Sequence, residues 1–457
     1  MPRARTELAE LVAFRSVAGP ARSPGSECEA TAEWLAGTLR AEGFQDVALL
    51  DTPDGARSVY GSLPGPAASP TVLLYAHYDI RPPLDESAWR TPPFTLTVRE
   101  NGRWYGRGAA GCKGGIVMHL LALRALRAGG GPPVNVKLIV EGSRERGTGG
   151  LERYARAHPE LLAADTVVIG DTGNVRAGLP TVTVSLRGAV RARVTVEIDP
   201  VAASRRGRSA DAHSGPSGTG RTADSTRGPD ATAALIRTLA SLHDGEGNTV
   251  VDGLDGAGRW CGVPYPRRRF RGDAAVLHGV DLPGSGTVAD RLWARPSATV
   301  TGLDCPRPGS GDGARALVCL RIPPGTDAAR AAELLTRHLE SHTPWGARVR
   351  VETVGQEQPF SADTTAPAYT AMGEAMRLAY GQEMRVAGLG GSVPLCGTLA
   401  DLSPRAEILL IGLGEPEARV HAVNESLDPR ELERMSVTEA LFLWRLRNRR
   451  GHGHCRP

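Results

Sequence analysis

Five polar side chains stand where apolar runs of this sequence stop. His77 and Asp79 follow Thr71-Val-Leu-Leu-Tyr-Ala76, and Glu145 lies just past Val134-Asn-Val-Lys-Leu-Ile-Val140. Asp171 follows Thr166-Val-Val-Ile-Gly170, and His421 comes after the run 408–413. In open parallel sheets, ligands sit beyond the carboxyl ends of the strands. Two imidazoles and two acids converging on one such edge are what a zinc site needs. Asp79, two residues after His77, projects to the same side and could accept the other imidazole N–H, fixing the ligating tautomer. Each residue alone has a plainer use, as a hydrogen-bonding histidine or a turn-forming aspartate. Their recurrence at four strand ends is what argues for a site.

The elements that must position these groups alternate. Residues 1–45 read as a helix, with Leu8, Leu11, Val12 and Phe14 on one face, then a Ser/Pro/Gly-rich loop and a helix over 30–42 ending at Gly43. A strand at 71–75, a helix at 115–127, a strand at 134–140, a helix at 151–157 and a strand at 166–170 follow. Strands alternating with helices imply an α/β fold with a mainly parallel sheet flanked by helices. The pattern changes near Arg187. Residues 189–198 alternate like a half-exposed strand, and 202–230 is a Ser/Arg/Gly/Asp-rich loop. A helix at 231–241, strands near 298–301 and 316–322, a helix at 327–341 and a strand at 347–354 complete an α+β unit. From Pro367 the alternation of helix and strand returns. We therefore expect one domain made of 1–186 and 355–446, a domain of 187–354 inserted into it, and a disordered tail at 447–457 whose His452, His454 and Cys455 belong to a frayed end.

Composition narrows the classes. The chain has 457 residues, which argues for two domains. Its net charge of +4 is spread along the sequence and gives no reason to expect nucleic acid. The run Arg267, Arg268, Arg269, Arg271 reads as a solvated loop. Seven scattered cysteines suit a reducing compartment better than a disulfide framework. The N-terminus lacks the pattern of a secretion signal, and no apolar run approaches the ~20 residues of a membrane span. These features lead us to expect a cytoplasmic protein with no membrane partner.

Leu74-Tyr-Ala-His-Tyr-Asp-Ile-Arg-Pro82 resembles the first metal motif of peptidase family M20, which includes aminoacylases, carnosine-type dipeptidases and glutamate carboxypeptidases. Trp104-Tyr-Gly-Arg-Gly108, Lys113-Gly114, Glu141-Gly142, Gly170-Asp-Thr-Gly173, Arg187-Gly188, His213-Ser-Gly215, Gly390-Gly-Ser-Val-Pro394 and His421-Ala-Val-Asn-Glu-Ser426 follow in order at similar spacing. The dipeptidase branch is the most similar. The resemblance implies that His77 and Asp171 hold one zinc, and Glu145 and His421 the other. It makes the inserted domain a lid and dimerisation domain. Its His213 would reach across a homodimer to steady the charge developing on the substrate carbonyl. It also implies that Arg321, with Gly391 and Ser392, lines the pocket of an amino-acid or dipeptide-like substrate.

Two positions depart from the pattern. The family's bridging aspartate is Gly111 here, within Gly106-Arg-Gly-Ala-Ala-Gly-Cys-Lys-Gly114, and the following acid is Cys112. The family's catalytic glutamate is Arg144, within Glu141-Gly-Ser-Arg-Glu-Arg-Gly147. A base that takes a proton from bound water is typically worth ~10²–10⁴ in rate, and a guanidinium stays protonated at any working pH. Without the bridge, each zinc keeps two protein ligands rather than the usual three. At an effective dielectric near 20, one charge pair ~5 Å apart interacts by about 3 kcal/mol, so an arginine disfavours a neighbouring dication. We expect no zinc, or one, rather than two. Cys112 could supply a thiolate to a single-metal site or fill the vacated space as a buried thiol. Alternatively Arg144 takes the metal's place, bridging Glu145 and Asp171. Three functions follow: a dipeptidase with a rearranged site, an enzyme repurposed to other chemistry through His213, Asp79 or Cys112, and a non-catalytic binding protein. Changing Gly111→Asp with Arg144→Glu should restore metal binding where nothing else has drifted.

Overall fold

The computed structural model describes residues 1–17, 19, 25–198, 230–305 and 313–447. His213, almost all of the 202–230 loop and the terminal His452, His454 and Cys455 lie outside the described residues. The chain forms two compact units. One comprises Met1–Val184, Ser361–Ala387 and Val393–Pro457, and the other Ser185–Phe360 with Gly388–Ser392.

The first unit is built on a large sheet. Six of its nine strands among the described residues run, in spatial order, Gln45–Asp51, Arg57–Leu63, Asn135–Glu141, Thr71–His77, Thr166–Ile169 and Glu407–Leu410. The last four pair in parallel and the first two antiparallel. Thr71–His77 is central and buried after its first residue, as a strand covered on both faces should be. It reaches two residues further than the sequence pattern suggests, so His77 is its terminal residue, paired with Glu141. Helix Lys113–Ala128 crosses the sheet at close range. A Cβ on Gly115 would stand 2.6 Å from the carbonyl of Gly170, so glycine there lets the helix approach the strand end.

Several strands are not apparent from the sequence pattern, among them Thr181–Leu186, Arg385–Leu389 and the two at the sheet's antiparallel edge. Gln45–Asp51 is a largely exposed edge with a register shift and a positive φ at Asp46, and Arg57–Leu63 carries a glycine and two serines. Neither shows a clean apolar period.

The second unit is a four-stranded antiparallel sheet in the order Ser297–Asp304, Ala314–Ile322, Gly188–Glu197 and Arg348–Glu357. Along Ala314–Ile322 burial alternates, with Arg315 and Leu317 exposed and Ala316 and Val318 inside. Helices Ala231–Ala240 and Ala328–Ser341 cover one face through a core that includes Val194, Leu235, Val318 and Leu335. The caps follow the sequence, since Asp230 and Asp327 each accept a backbone N–H of the first turn. The arginine run expected as a loop instead forms the short helix Arg267–Asp273, in which Arg269 pairs with Asp273 one turn on. Among the described residues, no helix is long and apolar enough to cross a membrane.

Candidate active site

His77 is buried at its strand end with a carboxylate on each side of the ring. Its Nδ1 lies 3.1 Å from Asp79 Oδ1, and its Nε2 lies 3.2 Å from Asp171 Oδ1. An imidazolium satisfies both contacts and a neutral ring does not. Burial opposes that charge, but Asp171 outweighs it and holds the histidine's pKa well above the usual value. Arg144 Nε donates to the other oxygen, Asp171 Oδ2, at 3.2 Å. Burial works against the Asp171 carboxylate as well, yet His77 and Arg144 together keep its pKa below the ordinary range.

A second cluster forms around Glu145. Its Oε1 is 2.8 Å from His421 Nε2, its Oε2 accepts from Arg81 Nε at 2.6 Å, and its backbone N–H donates to Asp79 Oδ2 at 2.7 Å. Asp79 therefore ties the two clusters together. Burial would raise the Glu145 pKa, but His421 and Arg81 pull it far below the usual range. His421 does not sit at the end of strand Glu407–Leu410. It lies on an irregular segment with φ of 68°, between Arg419 at 52° and Asn424 at 62°, and such conformations concentrate at functional sites.

Gly111 carries no side chain, and a Cβ there would point at Val420 and Glu425. Its N–H and that of Ala110 donate to Glu425 Oε1 at 3.1 and 3.3 Å, and Glu425 Oε2 accepts from Arg107 at 3.0 Å. Cys112 is buried, with Sγ 3.7 Å from the carbonyl of Gly108, and burial pushes its thiol up to about 12. It is held as a thiol. Glu141 accepts from Tyr75 Oη at 2.7 Å, and burial lifts its carboxyl to about 8. Sequence reasoning finds Glu141 only as a motif residue, and it gives no role to Arg81.

The residues present do not fit a pair of zinc ions. No carboxylate projects from position 111 to bridge two metals, and each retained pair of donors has a guanidinium on it, Arg144 on Asp171 and Arg81 on Glu145. Among the described residues, one set of three His, Cys, Asp or Glu brings all its ligand atoms within 4.8 Å of one another: Asp252, His338 and His342, in the second unit. There His338 Nδ1 accepts the Asp252 N–H at 3.1 Å, and its Nε2 faces the carbonyl of Ser241 at 3.2 Å. The Ser241 hydroxyl also lies 3.1 Å from Nε2 and Asp252 Oδ2 3.2 Å from Nδ1, so both ring nitrogens already have partners, and the set closes the end of helix Ala328–Ser341.

The second unit holds the expected pocket residues. Arg321 Nη1 donates to Ser392 Oγ at 3.4 Å, and Ser392 also bonds Glu357. Gly391 has open space where a Cβ would lie. Arg187, which the sequence marks only through its Arg-Gly motif, donates to Ser297 Oγ at 2.8 Å and to the carbonyl of Gly390 at 3.2 and 3.3 Å. Burial, and then the charge of Arg321, bring its pKa down to about 10. Two guanidiniums thus lie near one another, with Arg187 buried among neutral oxygens and the Glu357 carboxylate on Ser392 beside Arg321.

A parallel sheet that gathers imidazoles and carboxylates at its strand ends, interrupted by an antiparallel α+β unit, is the scaffold of a two-domain peptidase. Residues 73–445 match the family described as Peptidase family M20/M25/M40, and the chain belongs to that family. The cysteinylglycine-S-conjugate dipeptidase of Corynebacterium striatum is 40% identical over 446 residues, covering 96% of this chain and 94% of that protein. The Cys-Gly metallodipeptidase dug1 of Schizosaccharomyces pombe is 28% identical over 399 residues, covering 81% and 78%. Human carnosine dipeptidase 1 shares the fold, with a TM-score of 0.76 at 23% identity over 97% of this chain and 95% of that one.

Proposed function

We propose that this protein recognises a carboxylate-terminated dipeptide or amino-acid amide, in the class of cysteinylglycine and its S-conjugates, and acts on it by a route other than two-zinc hydrolysis. The observation that carries this reading is the Arg144–Asp171 ion pair at 3.2 Å, a permanent cation where the family's hydrolysis calls for a proton acceptor. Within the second unit, Arg321 with Arg187 and Ser392 is the candidate receptor for a carboxylate. His77, held between Asp79 and Asp171, is positioned to donate a proton rather than to ligate a metal. The site takes up no zinc, or one. Homodimerisation through the inserted unit and a cytoplasmic location belong to the same proposal, which sedimentation and fractionation test directly.

Specific relatedness favours a second reading, a dipeptidase working with one metal in a rearranged site, because 40% identity extends along 96% of the chain. One assay separates the two. Cysteinylglycine and S-substituted cysteinylglycines are incubated with the protein, with zinc or with EDTA, and free glycine is followed together with binding by calorimetry. Our reading expects binding in both conditions and no chelator-sensitive release of glycine. Rapid glycine release that needs zinc and stops with EDTA would establish the second reading instead.

A further inference from the structure

The loss of a side chain at position 111 has a partner elsewhere in the chain. Gly111 is not among the glycines with positive φ, so its backbone conformation does not call for glycine. What excludes a side chain is Val420. A Cβ built on Gly111 would lie 2.8 Å from Val420 Cγ1, well inside ordinary contact, and 3.4 Å from Glu425 Oε1. The other methyl, Cγ2, would stand 3.5 Å from a Cβ on Gly414, so Val420 is seated between two glycines. A β-branched side chain has few rotamers, so Val420 has few ways to move aside. Val420 is also flanked by Arg419 and His421, both at positive φ, so the backbone around it is held in an unusual course. Glu425 adds a second obstacle, because its Oε1 accepts from the backbone of Ala110 and Gly111 and would face any carboxylate placed at 111.

We propose that Val420 closes this site to a bridging carboxylate, and that Arg144 and Arg81 stand in for the two missing dications by neutralising Asp171 and Glu145. The proposal rests on the reading that the site does not work with two metals. It explains why three changes belong together. Gly111 removes the bridge, Val420 fills the space, and the guanidiniums join His77 and His421 on the two buried carboxylates. Accordingly the simple reversal of Gly111 and Arg144 is not enough to rebuild a two-metal centre, since the new aspartate meets Val420.

The test uses the full chain and zinc alone as the probe. Wild type, the double variant Gly111→Asp/Arg144→Glu and the triple variant that adds Val420→Ala are stripped of metal and titrated with zinc, and bound metal is measured by mass spectrometry. The triple variant should bind zinc at least about tenfold more tightly than the double, the scale on which a misplaced supporting residue weakens a metal site. Equal zinc binding by the double and triple variants would remove Val420 from the account. Two tightly bound zincs on the wild type would instead overturn the reading beneath it, so the two failures are distinct. A metal-free cycle covers the case in which the triple variant does not fold. Gly111→Ala should lower the melting temperature, and Val420→Ala in the same chain should recover much of the loss. Strictly additive effects of these two changes would refute the packing argument.

Discussion

Replacing Arg144 by glutamine removes the charge that Asp171 Oδ2 meets at 3.2 Å and keeps much of the side chain's volume. Both partners are largely buried, with side-chain exposures of 21% for Arg144 and 12% for Asp171. Removing one member of a buried ion pair typically costs about 3–5 kcal/mol, because the remaining charge stays out of water. The residual exposure of Arg144, and the His77 ring on the other oxygen of Asp171, place the expected loss at the low end, about 3 kcal/mol. Urea denaturation of wild type and variant measures it. A second arm adds zinc to each. If the guanidinium occupies the metal's place, zinc should stabilise the glutamine variant by mass action and leave the wild type nearly unmoved. The reasoning fails if the glutamine variant is as stable as wild type, or if zinc stabilises both proteins equally.

Three further outcomes are expected. Arg321→Ala should weaken binding of a cysteinylglycine substrate by about tenfold to a hundredfold, the worth of one charged hydrogen bond, and should spare a ligand whose carboxylate is amidated; calorimetry reads both. Cys112 should resist iodoacetamide in the native protein, since burial holds its thiol up to about 12, whereas the exposed Cys261 should react; peptide mapping by mass spectrometry decides. His119 is buried with Nδ1 2.8 Å from Glu439, and although burial opposes its charge, Glu439 raises its pKa. A group whose folded pKa is raised stabilises fully below its unfolded value, about 6.5, and that contribution fades as pH rises through the folded pKa. His119→Gln should therefore flatten the decline in urea stability above neutral pH, and an unchanged slope would refute the pairing.

Much of the site can be read from the sequence because its residues end apolar strands. His77 and Asp79 are two residues apart on one strand end, and Asp171 follows another, so a pattern of runs and their polar stops finds them. The departures at Gly111 and Arg144 are legible for the same reason, since motif spacing needs no gap. What stays hidden depends on contacts between distant segments. Nothing in Arg81-Pro82-Pro83 announces that this arginine, 56% exposed, turns onto Glu145. Val420 and Gly111 are far apart in sequence, and their mutual exclusion exists only once the chain is folded. The raised pKa of Glu141 and the lowered one of Arg187 likewise come from burial, which a motif does not report. The position of His421 after an apolar run suggests a strand end, but an irregular segment with positive φ brings it to Glu145 instead.

The central claim is that fixed guanidinium charge has replaced paired metal ions at this sheet edge. Metal analysis of protein purified without added zinc, repeated after zinc saturation and removal of the excess, addresses it most directly. We expect at most one zinc per chain in either state, with Arg144 still on Asp171. Two zincs per chain, with the Arg144 side chain turned out to solvent in a crystal of that form, would contradict it.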